Sequence, residues 1–125
     1  MIKLRFIVLA PILAAALLGP APPAGSTEPS GTESLSQCPS GYFCVWSGTN
    51  YTGSMQQFSA TGSYKQITLS TIRSLYNRRS ARTYLHEQSD GSGYHSCYGP
   101  GATSSSLLGW RQTAEAAWLS TVTSC

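Results

Sequence analysis

The chain has 125 residues, with 8 basic against 5 acidic side chains and four cysteines. That length accommodates one domain with a modest core. The formal net charge of +3 falls further once the export segment described next is removed, which excludes strong attraction to nucleic acid or membrane surfaces.

In chain order, residues 1–26 carry Lys3 and Arg5, an apolar run from Phe6 to Leu18, and then small residues and prolines. This is the pattern of a secretory signal peptide, with cleavage expected between Ala21 and Ser26. Its removal leaves six basic residues against five acidic ones. Residues 27–37, rich in Ser, Thr, Glu and Gly, read as a flexible leader. The domain proper is expected over residues 38–125.

The stretch Tyr42 to Phe58 alternates aromatic and β-branched residues, passes through Ser47-Gly48-Thr49-Asn50, and resumes after Gly53. It reads as strand, turn and strand. Tyr64 to Tyr76 reads as one strand and its approach, with Ile67, Leu69 and Ile72 apolar. Asn77-Arg78-Arg79-Ser80 is a linker; its arginines, with Arg73 and Arg82, read as a solvated turn or contact patch, since no aromatic platform interleaves them. Thr83 to His86 begins a second unit. Ala102 to Ser106 is a small-residue connection, and Leu107, Leu108 and Trp110 are expected on the core. Thr113 to Leu119 suits one or two helical turns or the approach to a last strand at Trp118 to Val122.

Sliding the chain against itself at an offset of 40 places Gly53 on Gly93, Trp46 on His86, Asn50 on Asp90 and Phe58 on Tyr98. A duplicated hairpin unit follows, because one hairpin cannot bury its apolar face alone and two packed together can. The second copy has Gly91 where the first has Tyr51, so its hairpin is expected to lack a covering aromatic and to be looser.

The spacing of Trp46, Tyr51 and Gly53, with Ser74 closing over them, resembles the folded hairpin of the βγ-crystallin Greek key. The order CPSGYFC, NYTG, IRSLYNR, CYGPG, LLGW and WLSTV resembles more specifically the small secreted bacterial peptidase inhibitors of βγ-crystallin-like fold, typified by the actinomycete metalloproteinase inhibitor. The resemblance implies an all-β, Greek-key β-sandwich built from two related hairpin units. Calcium, common in βγ-crystallin domains, is not expected, because Leu69-Ser70 and Ala116-Ala117 stand where its ligands would, and Arg73 replaces a hydroxyl.

Four cysteines behind an export signal imply two disulfides among three possible connectivities. The expected pairing is Cys38 with Cys44, around Pro39-Ser40-Gly41, and Cys97 with Cys125. No cysteine pair has zinc-ribbon spacing, and His86-Glu87 is followed by Asp90 where a zinc-peptidase helix needs its second histidine. No metal, cofactor or catalytic set is expected. The best enzyme alternative is a small secreted hydrolase using Glu87, His95 and Arg82; a non-inhibitory extracellular binding module is the other alternative. The reading implied by the resemblance is a secreted monomeric inhibitor of an extracellular metalloprotease. Its inhibitory loop is expected at Asp90, Gly91, Ser92, Gly93, Tyr94 and His95, with the far end held by Cys97. The loop between Cys38 and Cys44 is the rival.

Overall fold

A computed structural model describes residues 35–125; the expected signal peptide and the expected leader up to residue 34 lie outside the described residues. The described residues form eight strands, β1 (Phe43–Trp46), β2 (Met55–Phe58), β3 (Tyr64–Gln66), β4 (Ser74–Asn77), β5 (Thr83–His86), β6 (His95–Tyr98), β7 (Thr103–Ser104) and β8 (Ala116–Leu119), with a 3-10 helix at Gly109–Thr113. They assemble into two antiparallel four-stranded sheets, ordered β2-β1-β4-β7 and β3-β8-β5-β6. The fold is all-β.

The stretch Tyr64 to Tyr76, expected as one strand, supplies two strands to different sheets. β3 leaves its own hairpin to pair with β8, and β7, in the expected small-residue connection, crosses the other way to pair with β4. The exchange is reciprocal: the Ile67 amide donates to the Glu115 carbonyl at 2.9 Å, and the Leu107 amide to the Arg73 carbonyl at 2.8 Å. Each unit thereby closes the sheet of the other.

Strand alternation then sorts the side chains. Phe43, Val45, Leu75, Leu85, Ala117 and Leu119 face inward and form the core with Ile72, Leu107 and Ala114. Fully burying each large member contributes roughly 1.5–3 kcal/mol. Leu108, expected on the core, is 68% exposed, because the chain turns into the 3-10 helix there and only Leu107 points in. Thr113 to Leu119 resolves as the end of that helix followed by β8: pairing with both β3 and β5 overrides the helical preference of its alanines.

One buried polar residue ties the units together. Asn77 is fully buried, and its Nδ2 lies 2.8–3.0 Å from the carbonyls of Ala81, Tyr98 and Gly99, while its Oδ1 accepts from Thr83 Oγ1 and the Arg79 amide. The linker arginines also bond to the fold, although Arg78 remains exposed. Arg78 donates to the Cys38 carbonyl, and Arg79 to the Arg82 and Ser120 carbonyls and to Thr83 Oγ1. Burial pushes the Arg79 guanidinium below its ordinary pKa.

The disulfides Cys38–Cys44 and Cys97–Cys125 staple the outer sides of the two sheets. In the chain-entropy account their loops contribute about 2 and about 4 kcal/mol. The last leader residues are not flexible: Leu35 packs with Cys38, Cys44 and Trp46, and Gln37 Oε1 accepts a bond from the Trp46 indole at 3.1 Å.

The first hairpin folds back on itself through Asn50 and Tyr51, both left-handed at φ 54° and 60°, an unusual state for a bulky tyrosine. The Tyr51 ring meets Trp46 edge-on at 5.3 Å, and its amide donates to Ser74 Oγ, whose hydroxyl donates to the Gly48 carbonyl at 2.7 Å. In register, Ala116 faces His86 as Ser74 faces Trp46, so the second unit has no closing hydroxyl. Removing the buried Ser74 hydroxyl in Ser74→Ala leaves two backbone groups unpaired and is expected to cost about 1–3 kcal/mol in chemical denaturation. A loss under about 0.5 kcal/mol would show that the hairpin closes without it.

Gly53 and Gly93 have nearly equal φ, 83° and 81°. A Cβ at Gly53 would press on Ser47 Oγ and the Gly48 amide nitrogen, whereas at Gly93 it would meet the longer Glu87 side chain. Both alanine variants carry the left-handed penalty of about 1–2 kcal/mol. Since the contact at Gly53 includes backbone and that at Gly93 only the Glu87 side chain, Gly53→Ala is expected to lower Tm more than Gly93→Ala; equal losses would contradict this.

Candidate functional site

The second hairpin repeats the bonds that close the base of the first. Ser47 Oγ accepts the Ser54 amide in one, and Glu87 Oε1 accepts the Tyr94 amide in the other. Ser47 and Glu87 amides donate to the Ser54 and Tyr94 carbonyls, both at 2.9 Å. Gly91, at φ 88°, takes the left-handed position that strains Tyr51. The missing aromatic is restored from outside the unit. The Tyr64 ring of β3 covers Gly91 so closely that no Cβ fits beneath it, and it meets His86 edge-on at 5.1 Å.

The expected looseness is therefore absent. Ser89 is held through its amide by Glu115 Oε1 and through its carbonyl by Gln66 Nε2. The Gly91 amide donates to the Gln88 carbonyl, and the Gly91 carbonyl accepts from His86 Nδ1 at 3.1 Å. At the tip, Asp90 Oδ1 accepts the Ser92 hydroxyl at 2.7 Å and the Ser92 amide at 3.0 Å, and these bonds hold its carboxyl below the usual range. Asp90 to His95 thus forms a loop shaped by bonds to the Gly91, Ser92 and Tyr94 backbone.

β6 follows directly and is an edge strand, paired to β5 on one side only. Its Cys97 is anchored by the disulfide to Cys125. Beside it lies a cleft of about 450 Å³ between the two sheet edges, bordered by Ser96, Tyr98, Ser104, Leu108 and Arg111. Tyr94, 68% exposed, stacks on Trp110 at 6.2 Å, Arg111 lies over Trp110 at 5.1 Å, and Arg111 Nε donates to Ser96 Oγ at 2.9 Å. This Tyr-Trp-Arg stack was missed in the sequence, because Trp110 and Arg111 reach Tyr94 only through the packing of the 3-10 helix.

The outward face of the second sheet is a second cleft, of about 260 Å³, formed by Tyr64, Tyr84, His86, His95 and Trp118. Its counterpart on the first sheet is filled by Leu35, Tyr42 and the Cys38–Cys44 bridge. Burial pushes the His86 imidazole below its ordinary pKa, opposed by the Gly91 carbonyl and aided by repulsion from His95. The hydrolase alternative is not assembled: Glu87 is committed to the Tyr94 amide, and Arg82 to the Ser124 carbonyl and the Tyr84 ring.

The rival loop is docked onto the domain. Cys38 is fully buried, its carbonyl accepts from Arg78, and the Gly41 amide donates to the Arg78 carbonyl at 2.8 Å.

A solved structure described as "Evolution of the eye lens beta-gamma-crystallin domain fold" superposes with a TM-score of 0.56 at 9% identity, covering 67% of this chain and 90% of that one. At that identity the likeness speaks to the fold, which is βγ-crystallin-like. No curated protein sequence matches. The profile of peptidase inhibitor family I36 matches residues 31–98, which takes in β1 to β6 and the whole second hairpin. The chain belongs to peptidase inhibitor family I36, and membership of an inhibitor family points to a protein that is not an enzyme.

Proposed function

We propose that the secreted domain inhibits an extracellular protease, a metalloprotease by its resemblance to the actinomycete inhibitors, through the loop Asp90 to His95 and the adjoining edge strand β6. The observation that carries this reading is the edge of β6, unpaired among the described residues, which follows a hydrogen-bonded loop, carries the Cys97 disulfide and is flanked by the Tyr94–Trp110–Arg111 stack. Protease clefts bind extended peptide as an added strand, and a free edge offers the backbone groups for it. Tyr, Trp and Arg are the residue types that dominate interface energetics. A loop already held in shape loses little conformational entropy on binding, and the Cys97–Cys125 bridge anchors the far end of the strand to the C-terminus. The two disulfides, together with the family, fit an extracellular setting, and the signal peptide read over residues 1–26 would deliver the chain there.

The test is titration of the purified protein against a panel of extracellular metallo- and serine proteases. Wild type is expected to inhibit a metalloprotease reversibly, and Tyr94→Ala to weaken that inhibition about 30-fold, the loss of one interface anchor. Ser40→Glu, in the rival loop, is expected to leave it unchanged. Loss in Ser40→Glu with Tyr94→Ala unaffected would move the site to the Cys38–Cys44 loop; inhibition of no protease by wild type would overturn the reading.

A further inference from the structure

The duplication itself exposes a second feature, independent of inhibition. In the first hairpin the cross-strand pair nearest the turn is Trp46 opposite Met55, buried or half-buried in an apolar cluster under Leu35 and Cys38. The equivalent pair in the second hairpin is His86 opposite His95. The fold does not require imidazoles there, since its own first copy is built without them. These are also the only two histidines in the chain.

We propose that His86 and His95 form a two-nitrogen site for a borderline transition-metal ion such as Zn²⁺, Ni²⁺ or Cu²⁺. Their ring centroids are 5.7 Å apart at 33°. An ion held by two imidazoles at about 2.1 Å in tetrahedral geometry puts the centroids roughly 5 Å apart, so a small rotation of the exposed His95 closes the pair. His86 is already in the required tautomer. A carbonyl only accepts, so its Nδ1 carries the proton given to Gly91, and the neutral ring keeps its Nε2 lone pair for a metal. A ligating histidine fixed through its other nitrogen by a backbone carbonyl is the usual outer-shell arrangement.

Tyr64, Tyr84 and Trp118 wall the cleft with aromatic surface, in contrast to the covered face of the first sheet. No group of three or more His, Cys, Asp or Glu side chains converges among the described residues, so water or a group from a partner completes the coordination. Imidazole donors select borderline ions over Ca²⁺ and Mg²⁺, which need oxygen ligands.

The test uses the whole secreted protein and Zn²⁺ alone. With only two histidines, the one-dimensional NMR spectrum has two imidazole Hε1 signals, and both are expected to shift together and saturate at one equivalent of Zn²⁺. In parallel, Zn²⁺ is expected to raise Tm of wild type and not of His95→Gln. That variant, altered at an exposed position, should melt like wild type without metal and bind Zn²⁺ at least tenfold more weakly by calorimetry. Movement of one imidazole signal alone, equal Zn²⁺ binding by His95→Gln, or no response of wild type would each overturn the proposal. None of these readouts depends on protease inhibition.

Discussion

The sandwich depends on an exchange. A two-stranded hairpin of this size cannot bury its apolar face by itself, and here neither hairpin even completes its own sheet. β3 and β7 each leave the unit that precedes them and pair with the last strand of the other, with Ile67 bonded to Glu115 and Leu107 to Arg73 at the crossings. Neither sheet is complete without the other unit, so the core between them forms as one cooperative body. Asn77 sits where the first unit hands over to the second, and its Nδ2 donates to carbonyls of both the linker and the second unit, at Ala81, Tyr98 and Gly99.

On this shared frame the two hairpins have diverged in opposite directions. The first is closed by Tyr51 and Ser74 and roofed by the leader, Cys38 and Tyr42. The second has exchanged the tyrosine for Gly91, the serine for Ala116 and the roof for open aromatic surface. What holds it instead is Tyr64, reaching across on the exchanged strand, together with Glu87, Glu115 and Gln66. The consequence is a hydrogen-bonded loop beside a free edge, with His95 and Tyr94 exposed to partners. A scaffold whose first half is stabilised by covered surface can leave its second half open for recognition.

Much of this was legible in the sequence, and the limits are physical. The hairpin strands follow from alternation and the intervening glycines, and the offset of 40 relates the units through local pattern. The third strands were not legible, because β3 is three residues and β7 only two, each too short for a period to register. Tyr64 as a lid, the carbonyl-binding arginines and the Tyr94–Trp110–Arg111 stack depend on long-range packing that no local window encodes. The histidine pair is different. Given the offset, the register that sets Trp46 opposite Met55 already sets His86 opposite His95.

The central claim is that recognition belongs to the second hairpin and its edge rather than to the disulfide loop at the N-terminal side. Hydrogen–deuterium exchange of the protein, free and bound to a protease it inhibits, tests this most directly. The account predicts added protection concentrated in residues 89–98 and 107–111, with residues 38–44 exchanging as in the free protein. Protection confined to residues 38–44, with the second hairpin unchanged, would contradict it.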